Sequence, residues 1–242
     1  MEYRVKPGQY SYGEAMGILL IENYLPFIPG DVANATSYSY PVRFQNLPGV
    51  TAPRLFAKDP NLVGQLLAGA LALEAAGVRA ITGDCGFLAN FQDEIASALR
   101  IPVFLSSMLQ VPFMRGLRKG GKIGVITANA EALTPDFMRH IGLGNTVDLV
   151  VYGLENSIHF HSVVFKEEGL LDTCKLEIEV TELARRMVRE CPELSSILLE
   201  CSILPPYGKA VHDAVGLPVF DYHTMVDYLY SAVVKSTFSG FM

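Results

Sequence analysis

Half of the 242 residues are hydrophobic and 18% are charged, enough apolar material to bury one large core or two small ones. The net charge of −6 is spread along the chain without a basic run, which argues against nucleic acid or an anionic membrane surface as a partner. Four cysteines with no Cys-x-x-Cys spacing rule out a disulfide framework, a zinc ribbon or a thioredoxin-type pair.

Taken in chain order, the first 17 residues are polar and hold no apolar run of signal-peptide type, so a reduced cytoplasmic protein is expected. "GILLIEN" (17–23) predicts a strand running into the loop "YLPFIPGDVANATSY". Residues 61–77 are apolar at helical spacing, opened by Asp59-Pro60 and closed by Gly77; Glu74 and the short length exclude a membrane span. "VRAITGD" (78–84) predicts a strand and "NFQDEIASALR" (90–100) a helix. "IPVFLSS", "KIGVITA" and "TVDLVVYG" predict further strands, the last two separated by a helix capped at Thr134-Pro135. A long amphipathic helix follows in "LDTCKLEIEVTELARRMVREC", stopped by Pro192. Then come "SSILLE", a helix near 206–215, "LPVFD" and a final helix from about 224. Strands rich in Val, Ile and Leu that alternate with helices predict a parallel α/β sheet buried on both faces.

The chain also repeats itself. At an offset of 116 residues, "AITGDCGFLANFQDEIASALRIPVF" (80–104) lies over "SILLECSILPPYGKAVHDAVGLPVF" (196–220) without a gap. Cys85 meets Cys201, Leu88 meets Leu204, and Pro102-Val103-Phe104 meets Pro218-Val219-Phe220. Asp84 and Glu200 are the equivalent acids before each cysteine. Cys174 and Cys191 have no echo, falling on Lys58 and Ala75. Two related α/β halves thus each present one thiol where a strand gives way to a helix. Ligands of parallel α/β sheets bind at that edge, where a helix N-terminus favours thiolate. Two thiols facing each other across one cleft would invert a carbon centre, one removing a proton while the other returns one, with no cofactor.

The pattern resembles the aspartate/glutamate racemase superfamily, over nearly the whole chain from Gly17 to the helix after Phe220. The two cysteines match that family's pair, and Ser202 matches the hydroxyl residue after the second. Thr127, ending "KIGVIT", stands where the family often places a carboxylate-binding threonine. Gly86-Phe87 departs from the family's Asn-Thr turn, no histidine follows Cys201, and the first loop carries Glu22-Asn23 rather than Asp-Ser-Gly. The presence of both cysteines argues against a simple arylmalonate-type decarboxylase, which keeps one. The resemblance implies two pseudo-symmetric, Rossmann-like parallel-sheet lobes with the active site in the cleft between them. Residues 1–118 plus 224–242 would form the first lobe and 119–223 the second. It also implies a cofactor-independent racemase or epimerase of an amino acid or related small carboxylate, such as a hydantoin. A maleate-type cis–trans isomerase with a covalent cysteine, or a binding protein on the same scaffold, are the alternatives.

Cys85 and Cys201 are therefore the expected catalytic pair. Asn23, Gly86, Phe87, Thr127 and Ser202 are the candidate substrate contacts, each with a plain alternative. Asn23 also reads as an ordinary turn residue, Thr127 and Ser202 as capping hydroxyls, and Phe87 as core. Strand alternation turns Asp84 and Glu200 away from the thiols, as structural hydrogen-bonders. His159 and His161 lack a third ligand and read as a surface pair, so no metal is expected. Cys174 and Cys191 read as packing on and at the end of a helix. The expected partner is a small carboxylate substrate, with a homo-oligomer left open.

Overall fold

A computed structural model describes residues 2–117, 120–144 and 148–242. Among these residues eight strands form two parallel sheets. The first holds β1 (Met16–Ile21), β2 (Val42–Leu47), β3 (Ala80–Gly83) and β4 (Val103–Phe104), in the order β2-β1-β3-β4. The second holds β5 (Lys122–Thr127), β6 (Leu149–Gly153), β7 (Leu194–Leu199) and β8 (Val219–Phe220), in the order β6-β5-β7-β8. The two orders are the same, as an internal duplication requires. The helices are α1 (Ala52–Phe56), α2 (Val63–Ala76), α3 (Gln92–Ala98), α4 (Val111–Leu117), α5 (Pro135–His140), α6 (Ile158–Phe160), α7 (Thr173–Glu190), α8 (Gly208–Val215) and α9 (Tyr222–Val233).

The local signals explain these boundaries. Asp59 accepts from the Asn61 N–H ahead of α2, and Gly77 closes that helix at φ 97°, a left-handed conformation that suits glycine. Thr134 accepts from the Phe137 N–H at the start of α5, and Asp221 and Thr224 form a reciprocal capping box on α9. Leu176, Val180, Ala184 and Met187 form the buried stripe of α7. Strands β3 and β7, covered on both faces, are buried at every residue.

Strand β2 is the element the sequence pattern hides. "VRFQNL" lies at a sheet edge and is half-buried along most of its length, so it shows neither a continuous apolar run nor clean alternation. The expected strand at 146–153 begins at Leu149, its opening residues lying outside those described, as does the expected lobe boundary at 118/119.

The repeat is visible in the backbone. Ile81 N–H donates to Pro102 O at 3.0 Å and Ile197 N–H to Pro218 O at 2.9 Å, while Leu88 and Leu204 N–H donate to Cys85 O and Cys201 O at 3.0 and 3.1 Å. The halves are not independent, however. Ile123, Val125, Phe137 and Leu198 of the second half pack in one buried cluster with Leu19, Ile81 and Phe87 of the first. After β8 the chain crosses back, and Tyr222, Met225 and Val226 of α9 pack on Met16, Ile18 and Ala80. Among the described residues no helix is long and apolar enough to cross a membrane.

Candidate active site

Where β3 ends, Asp84-Cys85 leads into a 3₁₀ turn over Gly86–Phe91; where β7 ends, Glu200-Cys201 leads toward one over Pro205–Tyr207. These turns bring both thiols to one narrow pocket of about 70 Å³, walled by Asn23, Phe56, Phe87, Phe165, Ser202 and both acids. At roughly 10–15 Å³ per water-sized group, this holds a handful of heavy atoms. Among the described residues the wall contains three acidic side chains (Asp84, Glu167, Glu200) and no Lys, Arg or His.

Cys85 and Cys201 are half-buried, and each sulfur accepts a backbone N–H two residues on, from Phe87 and Ile203. The expected push toward thiolate is reversed. Burial drives the Cys85 thiol well above its ordinary value, and Asp84 and Glu200 beside it drive it further. Burial and then Glu200 do the same to Cys201. The physical reason is that each cysteine precedes a short 3₁₀ turn rather than a long helix. One N–H cannot offset desolvation plus neighbouring carboxylates.

The candidate contacts divide. Asn23, Gly86, Phe87 and Ser202 line the pocket, and the buried Oδ1 of Asn23 has no partner. Phe87 also belongs to the core, 4.5 Å from Phe56 edge-on and 5.4 Å from Phe137, so one ring both walls the pocket and packs in the interior. Ser202 Oγ is committed to the Asp84 carbonyl, tying the two lobes at the pocket floor. Thr127 is not among the lining residues. It is fully buried, and its Oγ1 donates to Glu200 Oε2 at 2.8 Å, so its role as a carboxylate binder is corrected to that of a support for Glu200.

The two acids are the residues sequence reasoning placed wrongly. Asp84 is structural as expected, accepting the Ile21 N–H at 2.9 Å. Yet both acids line the pocket, because they lie one residue beyond β3 and β7, where strand alternation no longer sets direction. Glu200 Oε1 is buried with no partner at all. The pocket wall from Val164, Phe165 and Glu167 also escaped prediction; these residues sit on and after the π-helical turn His161–Phe165, which has no periodic signature.

Other sequence candidates settle into structural roles. His159 Nε2 accepts the Asp172 N–H at 2.9 Å, pinning the start of α7. Among the described residues no three His, Cys, Asp or Glu side chains are grouped to hold a metal ion.

Buried carboxyls have a consequence for stability. Burial raises Asp31 and Glu200 to about 7 and Asp84 to about 8. The native chain therefore keeps protons that the unfolded chain releases above about pH 4. That contribution is complete below the unfolded values and is lost as pH rises through about 7 to 8. Thermal unfolding across a pH series should show Tm falling from about pH 5 to about pH 8.5, less steeply in Glu200→Gln. A Tm that climbs over this interval contradicts the burial of these groups as neutral acids.

Comparisons with solved structures are in keeping with this architecture. A variant of arylmalonate decarboxylase in a sulfate-associated form superposes with a TM-score of 0.60 at 18% identity, covering 93% of this chain and 96% of that one. A glutamate racemase isoform from Bacillus anthracis superposes with a TM-score of 0.56 at 12% identity, over 92% of this chain and 85% of that one. This is the fold of the aspartate/glutamate racemase superfamily. No protein-family model matches the chain. At the level of sequence, dimethylsulfoniopropionate lyase 5 of Emiliania huxleyi (strain CCMP1516) is 33% identical over 229 residues, 90% of this chain and 45% of that protein. The dimethylsulfoniopropionate lyase of Durusdinium sp. clade D is 29% identical over 92% of this chain and 76% of its own length. The chain thus spans about half the length of the first of these relatives. The sequence relatives carry lyase names, while the structural neighbours include a decarboxylase and racemases.

Proposed function

We propose that this chain is a lyase that removes the proton α to a carboxylate and expels a neutral sulfur leaving group, acting on dimethylsulfoniopropionate. The observation that carries the reading is the pocket itself: two thiols, three acids and three phenylalanine rings, with no cationic side chain in the wall. Such a wall suits a substrate that brings its own positive charge. A sulfonium can rest on the aromatic faces. Its charge also favours thiolate beside it, countering the upward push on the cysteines. The names of the sequence relatives support the same substrate.

The step balances simply. A thiolate of the Cys85/Cys201 pair takes one α-proton from (CH₃)₂S⁺–CH₂–CH₂–COO⁻. The C–H electron pair becomes the new carbon–carbon double bond, and the C–S pair leaves on sulfur. The products are dimethyl sulfide, acrylate and the protonated thiol, which returns its proton to solvent. Proton removal next to a carboxylate is also the first half of racemisation, so the racemase fold needs only a leaving group on the β-carbon to support elimination. Racemisation of an amino acid, which also brings a cation, is the second reading, favoured by the presence of both thiols in one pocket.

The protein incubated with dimethylsulfoniopropionate should release dimethyl sulfide, measured in the headspace, and acrylate, measured by NMR, in equal amounts. No release, with loss of optical activity from a single-enantiomer amino acid, would replace the lyase reading with the racemase one.

A further inference from the structure

Glu200 is a carboxyl that fold and hydrogen bonding leave unexplained. It is 1% exposed, lies at the pocket between the two thiol turns, and sits where the chain equivalent of the opposite lobe has only Asp84. Its Oε2 accepts from Thr127, while Oε1 has no partner and presses against Gly86 of the other lobe, at 1.6 Å from where a side-chain carbon would stand. An ionised carboxylate in this place would hold one hydrogen bond and no counter-charge, a costly arrangement in a dry wall. The titratable groups sharing the site are Asp84 and Cys85 on the first lobe's turn, Cys201 on its own turn, Glu167 after the π-helical turn, Asp31 close enough to act on Cys201, and Tyr222 of α9, and none is cationic.

A neutral acid fits better, and it changes what Glu200 offers. With Thr127 donating to Oε2, the acid proton belongs on Oε1, where it meets no acceptor. A carboxylate substrate, meanwhile, needs donors in a pocket that has few. The hydroxyls of Thr127, Ser202 and Ser107 are each committed, to Glu200, to the Asp84 carbonyl and to the Leu199 and Glu200 carbonyls. We propose that Glu200 acts as a neutral carboxylic acid whose Oε1–H donates to the substrate carboxylate and stabilises the charge that gathers there as the α-proton leaves.

This rests on the elimination chemistry proposed above and deepens it. The enediolate-like transition state places more charge on the carboxylate oxygens than the ground state does, so a preorganised donor there speeds the chemical step. Burial raises the Glu200 carboxyl to about 7, in keeping with a group held neutral. Neutrality also spares Cys201, since an ionised Glu200 pushes that thiol up.

The test compares wild type, Glu200→Gln and Glu200→Ala. Glutamine keeps a donor at nearly the same shape, so kcat should fall by no more than about tenfold, against about 10²–10³-fold for alanine. The wild-type profile should lose activity on the alkaline side with a midpoint near about 7, and that limb should vanish in Glu200→Gln. Equal Tm values for wild type and Glu200→Gln at about pH 4, where the carboxyl is protonated in the folded chain and largely so in the unfolded one, confirm that packing is intact. A readout independent of turnover uses infrared difference spectroscopy. In the difference between wild type and Glu200→Gln, from which the shared carboxyls of Asp31 and Asp84 cancel, a protonated-carboxyl band should appear and should shift on adding acrylate. If wild type shows the band and its shift but releases no dimethyl sulfide, the lyase reading fails and the acid role stands. If glutamine raises KM and leaves the alkaline limb in place, or the band is missing, Glu200 is an anion facing the cation and the proposal is overturned.

Discussion

Replacing both pocket thiols, as Cys85→Ser/Cys201→Ser, should reduce dimethyl sulfide release by at least about 10⁴-fold, to background. Serine keeps the shape of each turn and the N–H contact from Phe87 or Ile203. It does not keep an acid that can lose its proton to become a base at neutral pH. The single variants should be unequal. An elimination takes one proton from one face of the α-carbon, so one thiol is the base and the other only supports the charge. A racemase, by contrast, needs both thiols equally, one for each face. Cys174, exposed on α7, and Cys191, just past its end, should tolerate serine with activity unchanged. A double variant that still releases dimethyl sulfide removes the thiols from the mechanism. Equal and complete loss in both single variants, with α-exchange of amino acids in wild type, favours the racemase.

The second large effect is expected from a single methyl group. In Gly86→Ala the new carbon would lie 1.6 Å from Glu200 Oε1 and 2.6 Å from its Cδ, with Ser106 Oγ at 3.3 Å. The carboxyl cannot stay in place, and its Thr127 bond limits where it can go. Overpacking of this kind costs about 1–3 kcal/mol of stability. Activity should fall much further, by about 10²-fold or more, because the displaced group lies at the pocket. The pseudo-equivalent position makes the comparison sharp. Ser202 stands opposite the shorter Asp84 and uses its side chain to bond the Asp84 carbonyl. Thermal unfolding and product release together decide the matter: wild-type activity in Gly86→Ala would mean that the placement of Glu200 is immaterial.

Much of this molecule could be read before any coordinates. Strands buried on both faces, such as β3 and β7, announce themselves as apolar runs, and the 116-residue repeat places the two cysteines as equivalents. What escaped has common physical causes. Strand β2 is an edge, so burial does not imprint a pattern on it. The direction in which the thiols are shifted depends first on how deeply the pocket buries them and then on the acids beside them, three-dimensional facts that residue order does not carry. Glu200 was visible as the partner of Asp84 in the repeat, but strand alternation was extended one residue past the strand's end. One signal was available: an acid next to a cysteine, lengthened by a methylene relative to its repeat mate, with a serine two residues on where the mate's repeat has a glycine. Thr127 carried the opposite lesson, since its position in the family's pattern suggested a ligand that its neighbour Glu200 in fact occupies.

The central claim is that a pocket thiol takes the proton next to the substrate carboxylate. Dimethylsulfoniopropionate deuterated at the α-carbon tests it directly, with mass analysis of acrylate and recovered substrate under single-turnover conditions. The account predicts slower release of dimethyl sulfide from the labelled substrate, or loss of label from recovered substrate, and acrylate that has lost one α-deuterium per molecule. Equal rates with every α-deuterium retained in the product would mean that the α-proton is never touched. That result would contradict the account.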